Sequence, residues 1–125
     1  AGVASSVVAR AFVRSFVGKE ALVLVMKGSP AAPKCGFSLD AAKALYGVGA
    51  VYRHLDVWLQ PELEGAFKAE FQWPTFPMLF ANGTLFGGRD ILSQLAEEGS
   101  LEAALREALA PLPAEQLDAL FGAEG

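Results

Sequence analysis

The chain has 125 residues, 53% of them hydrophobic, and its 10 Lys and Arg against 14 Asp and Glu give a net charge of −4. That length suits one hydrophobic core and is short for two. The longest unbroken apolar run, Ala21 to Met26, is far below the roughly 18–20 residues a membrane-crossing helix needs, and the acidic balance leaves no basic surplus for a phosphate backbone, so neither membrane nor nucleic acid is an expected partner.

In chain order, residues 1–19 carry Arg10, Arg14 and Lys19 with no acid before Glu20, and lack the apolar stretch of a secretory signal. Val3, Val7, Phe12, Phe16 and Val17 fall near helical spacing, which predicts a first amphipathic helix, with the tail of a mitochondrial or plastid transit peptide as the alternative. Ala21–Met26 predicts a strand buried on both faces, and Gly28 to Pro33 predicts a loop. Phe37, Ala41, Ala44 and Leu45 predict a helix over Phe37–Tyr46, with Cys35 at its entrance. A second strand is expected over Val51–Val57, and a helix over Pro61–Phe71 with proline in its first turn and Glu62 and Glu64 near its positive end.

Pro77–Ala81 and Thr84–Phe86, separated by Asn82-Gly83, predict a hairpin with a type I′ turn. Helices follow at about Asp90–Glu97 and, capped by Ser100, at Leu101–Leu109, with Pro111 and Pro113 as stops. Residues 114–121 read as a last short helix or a frayed tail, and 110–125 carry no functional motif. The first two strands, joined by a helix, should be parallel, so the fold class is α/β, a four-stranded mixed sheet flanked by helices.

The chemistry starts from scarcity. Cys35 is the only cysteine and His54 the only histidine, so an internal disulfide is excluded and metal binding must recruit ligands from outside the chain. A cysteine at a helix N-terminus, with Lys27 and Lys34 nearby, has its thiolate stabilised by the helix dipole and free N–H groups. Lys34, Gly36 and Ser38 favour exposure and reactivity over a buried, inert thiol. Trp73-Pro-Thr-Phe-Pro77 places a proline before a strand, and the residues alone leave open a trans bond at a strand edge, the commoner form, or a cis bond that turns the Phe76 backbone toward an extended peptide. His54 is expected to be structural, and Trp58 and Phe67 to be core or half-core.

Met26-Lys-Gly-Ser-Pro30, Cys35-Gly-Phe-Ser38, Trp73-Pro-Thr-Phe-Pro77, Asn82-Gly83 and Gly87-Gly88-Arg-Asp-Ile91 stand in an order and at a spacing that resembles the monothiol glutaredoxins of the thioredoxin superfamily, over about residues 6–109. The resemblance implies a thioredoxin-like fold and a glutathione site. In that site Cys35 faces the tripeptide's sulfur, Lys27 and Lys68 face its glycine carboxylate, and Phe37 is a further glutathione-binding residue. Phe76 ahead of a cis Pro77 pairs with its backbone, and Gly88, Arg89 and Asp90 take the γ-glutamyl end. Met78 and Arg89 depart from the family, which usually has Gln and Cys there.

Ser38 stands where dithiol relatives carry a resolving cysteine, and a hydroxyl does not exchange with disulfides. A [2Fe–2S] cluster typically takes four thiolates. One chain offers one, so two chains and two glutathiones complete the set, and the resemblance implies a cluster-bridged homodimer that stores clusters and delivers them to iron–sulfur recipient proteins, with Cys35 the metal ligand. The alternatives are a glutathione-dependent oxidoreductase with Cys35 as catalytic nucleophile, its attack slowed by the loop Gly28–Lys34, and an interaction module with an inert thiol. The basic start favours an organelle, mitochondrion ahead of plastid, with the cytoplasm as the remaining option.

Overall fold

The computed structural model describes residues 3–122: α1 (Val3–Val17), β1 (Leu22–Met26), α2 (Gly36–Gly47), β2 (Arg53–Asp56), α3 (Pro61–Phe71), β3 (Met78–Ala81), β4 (Thr84–Gly87), α4 (Arg89–Glu97), α5 (Leu101–Leu109) and α6 (Ala114–Ala119). The strands form one mixed sheet in the order β2-β1-β3-β4. β1 runs parallel to β2 and antiparallel to β3, and β3 is antiparallel to β4.

β1 is apolar without interruption because both of its faces are covered. Leu22, Leu24 and Met26 pack with α2, α4 and α5, while Val23 and Val25 pack with α1 and α3. β3 divides the same way: Leu79 and Ala81 join the first core, Met78 and Phe80 the second. Met78, one of the two departures from the family pattern, is thus a fully buried core residue paired with Val25. Phe67 is also buried, its ring edge-on to Phe76 at 6.3 Å.

α1 is helical, but the face it buries is rotated from the expected one. Val13, Phe16 and Val17 are buried, whereas Val7 and Phe12 are exposed; the side chain of Val3 lies outside the described residues. The rotation follows from α3, where Glu70 takes Arg10 at 2.9 Å and Arg14 at 3.1 Å. The basic character of this stretch therefore serves the α1–α3 contact.

β2 is shorter than the predicted strand because the C-terminal segment takes over its start: the Val51 N–H donates to the Leu120 carbonyl at 2.8 Å. Ala114–Ala119 accordingly form a helix, and Phe121 just past its end enters the first core, so the segment is not a frayed tail. Trp58 is 57% exposed, against the expectation of a core position. It sits in the turn after β2, where Asp56 Oδ1 accepts its N–H at 2.8 Å and Val57 is the residue that points inward. His54 is exposed on the edge strand.

The hairpin turn has Asn82 at φ 51° and Gly83 at φ 80°, the left-handed pair a type I′ turn requires. The Asn82 amide also donates to the Leu109 carbonyl at 2.9 Å, tying the turn to the end of α5. Ser100 occupies the N-cap of α5 but makes no side-chain capping bond. Its backbone (φ −110°, ψ 1°) is not the extended form that aims a hydroxyl at the first free N–H groups. Among the described residues no helix is long and apolar enough to cross a membrane.

Candidate functional site

Cys35 is the N-cap of α2, in an extended conformation (φ −152°, ψ 156°), and its sulfur accepts the Ser38 N–H at 3.4 Å. A thiol here takes the place of the usual capping oxygen, so the free N–H groups of the first turn point at sulfur. The thiol is partly exposed, while Ser38 beneath it is completely buried. Ser38 Oγ accepts the Lys27 N–H at 3.0 Å and lies 3.4 Å from Cys35 Sγ. With Lys27 filling its acceptor side, the hydroxyl is free to donate its proton to a thiolate.

Burial pushes the Cys35 thiol up, but the Ser38 hydroxyl, the Ser38 and Phe37 N–H groups and the charge of Lys27 outweigh it and leave the thiol below its ordinary value. Of the two lysines expected to help, only Lys27 contributes; Lys34 is exposed and serves the loop through its N–H, which donates to the Lys27 carbonyl at 2.8 Å. That loop is tight. Gly28 at φ 93° donates to Asp56 Oδ1 at 2.8 Å, and a Cβ there would stand 2.6 Å from the Ala32 carbonyl oxygen.

Lys27, just after β1, and Lys68, in the last turn of α3, are brought together by a residue not anticipated from sequence: Glu64 Oε2 lies 3.8 Å from both ammonium groups. The Lys68 ammonium also stands 5.8 Å from the centre of the Phe76 ring. The Phe76–Pro77 bond is cis, the form the resemblance implied and not the commoner trans one. Ala110–Pro111 is cis as well.

At the first turn of α2 lies a cleft of about 380 Å³ lined by Phe37, Trp73, Thr75, Phe76, Gly88, Arg89, Asp90 and Ile91. Five predicted site residues thus share one concavity. Cys35, Lys27, Lys68 and the buried Pro77 do not line it. Phe37 is half exposed, not part of the apolar stripe of α2, because the first turn of that helix overhangs the cleft. The Arg89 guanidinium covers its ring at 4.3 Å and stands 3.7 Å from Asp40 and 3.4 Å from Asp90. Two buried donors on cleft residues, Trp73 Nε1 and Arg89 Nε, have no hydrogen-bond partner among the described residues, the 3.7 Å to Asp40 being too long for one. The floor is held open by glycine: a Cβ on Gly88 would stand 3.1 Å from the Pro77 carbonyl oxygen and 3.3 Å from Trp73 Nε1. Gly88 is also the N-cap of α4, so free N–H groups begin there.

The family model described as Glutaredoxin matches residues 22–86, from β1 to the second hairpin strand. This chain belongs to the glutaredoxin family. The glutaredoxin is 35% identical over 103 residues to Glutaredoxin 4 of Escherichia coli K12, covering 82% of this chain and 90% of that one. To Monothiol glutaredoxin-S17 of Arabidopsis thaliana it is 40% identical over 94 residues, 75% of this chain and 19% of that longer protein. A solution structure of a monomeric truncated mutant of Trypanosoma brucei 1-C-Grx1 superposes with a TM-score of 0.68 at 32% identity, covering 78% of this chain and 89% of that one. The fold is therefore thioredoxin-like, and the Arabidopsis relative carries the name of a monothiol glutaredoxin.

Glu64 and Asp40 were missed as site residues, as were Trp73, Thr75 and Ile91 as cleft walls. Glu64 left a signal in its i, i+4 spacing to Lys68; Asp40 left none, since its partner Arg89 lies far along the chain. Among the described residues no cluster of three or more His, Cys, Asp and Glu is arranged to hold a metal ion.

Proposed function

We propose that this glutaredoxin binds glutathione along the Cys35–Phe76–Gly88 line and, as a dimer, carries a [2Fe–2S] cluster that it stores and passes to iron–sulfur recipient proteins. The observation that carries the reading is the single activated thiol at the N-cap of the helix whose first turn, through Phe37, walls a cleft that also offers a glycine floor and two buried donors without a partner among the described residues. A γ-glutamyl carboxylate meets the N–H groups at the start of α4 together with Arg89, and Asp90 takes the ammonium. Phe37 and Phe76 flank the tripeptide, Pro77 sets the backbone entering β3, and Lys27 and Lys68 face the glycine carboxylate. The donor set fits a cluster only in part: each chain contributes the Cys35 thiolate, so the cargo requires a second chain and two glutathione thiolates.

Anaerobic reconstitution with iron, sulfide and glutathione should yield a coloured dimer, and omission of glutathione a colourless monomer. Equal loading without glutathione overturns the reading. A second reading, glutathione-dependent deglutathionylation, is favoured by the lowered thiol. The Cys35 thiolate attacks the glutathione sulfur of a mixed disulfide, the substrate leaves as its thiol, and a second glutathione restores Cys35 while forming glutathione disulfide. Robust turnover of a small glutathionylated substrate would raise it above cluster carriage. The proposed compartment is an organelle, the mitochondrion ahead of the plastid, supported by the acid-free start of the chain; exclusive recovery in the cytosol on fractionation contradicts it.

A further inference from the structure

We propose, resting on the glutathione reading above, that Glu64 is a resident competitor for the ligand carboxylate, occupying the space between Lys27 and Lys68 and so weakening the site's grip on glutathione. The two lysines come from different elements, one following β1 and one ending α3, yet one carboxylate oxygen sits 3.8 Å from both. That is the position a ligand carboxylate would take between two ammonium groups. The distance exceeds the 2.7–2.9 Å of a charge-assisted hydrogen bond, so the contact is Coulombic and exchangeable. All three side chains are about a third exposed or more, and such pairs are weak. An incoming carboxylate making shorter contacts displaces Glu64, but Glu64 stays tethered to α3 and repels it.

The consequence is a site whose affinity is set by a charge the chain itself supplies, an arrangement suited to a ligand that must leave when cargo is handed on. Removing the charge should tighten glutathione binding roughly twofold to fivefold at low ionic strength. The effect must act through the glycine carboxylate alone.

Calorimetric titration of the full chain and of Glu64→Gln with glutathione, and with glutathione whose glycine carboxylate is amidated, tests this. The variant should bind glutathione more tightly by that factor and the amide with less than a twofold change. Glu64→Ala must move glutathione affinity in the same direction, and circular dichroism confirms that both variants are folded. Unchanged or weaker glutathione binding by the variants, which would make Glu64 an organiser of the two lysines, overturns the proposal, as does equal tightening for the amide. Failure of the parent and both variants to bind glutathione at all sinks the underlying site reading and this inference with it, an outcome distinct from binding without a difference.

Discussion

Ser38→Ala separates the two tasks of the buried hydroxyl. Ser38 Oγ accepts the Lys27 N–H at 3.0 Å and faces the Cys35 sulfur at 3.4 Å, and the substitution removes one oxygen while adding no bulk. Leaving a partly buried N–H without an acceptor costs about 1–3 kcal/mol, which for a chain of this length lowers Tm by about 4 °C per kcal/mol. Losing the hydroxyl's bond to the thiolate, taken as about 1 kcal/mol, shrinks the thiolate population at neutral pH roughly fivefold. A less acidic thiol gives a more nucleophilic thiolate, with a Brønsted coefficient of about 0.4–0.5, so the iodoacetamide rate constant falls only about two- to threefold. The pH profile of alkylation moves to higher pH, because the hydroxyl is the largest of the groups that lower the thiol against the upward push of burial. Alkylation followed by mass spectrometry across pH reads the profile, and thermal melts read the stability. A profile superimposable on that of the parent, in a variant that does lose stability, would refute the claim that the hydroxyl holds the thiolate and reduce Ser38 to an anchor for Lys27.

Ser38→Cys restores a second sulfur beside Cys35, and on oxidation should lose two titratable thiols with no change in mass beyond two hydrogens; persistence of both thiols under oxidant contradicts the placement. Asn82→Ala removes the amide bond to Leu109 and a residue at ease with positive φ, and should cost about 1–2 kcal/mol in urea unfolding. Arg10 and then Arg14 hold the Glu70 carboxyl below its usual 4.5, so its contribution is complete above 4.5 and fades as pH falls through the lowered value; Glu70→Gln should flatten the acid side of the stability curve, and an unchanged curve counts against the α1–α3 clamp. The Cys35 thiol, lowered from 9.0, adds stability present above 9.0 and lost as pH falls through its folded value, an increment that Cys35→Ser should lack.

Much of this fold is legible in local pattern. The apolar run of β1 announces a strand covered on both sides, and Asn82-Gly83 announces its turn, because both signals depend on residues adjacent in the chain. Cys35 at a helix entrance is legible for the same reason. What escaped depends on partners distant in sequence. The buried face of α1 is decided by Glu70, and Phe37 leaves the core stripe because its helix overhangs a cleft built by α4. Val51 surrenders its strand bond to Leu120. Phe76–Pro77 shows the limit from the other side: the residues alone leave cis and trans open, and only the resemblance to the monothiol glutaredoxins implied cis. Glu64 was visible as a residue near a helix start, but its place between two lysines required knowing that the end of β1 and the last turn of α3 converge.

Native mass spectrometry of anaerobically reconstituted protein, set beside Cys35→Ser, tests most directly whether each chain brings one thiolate and borrows the rest. The parent should give a species of two chains, two glutathiones and one [2Fe–2S] unit, and the variant only bare single chains. A variant that keeps the cluster in equal yield contradicts this.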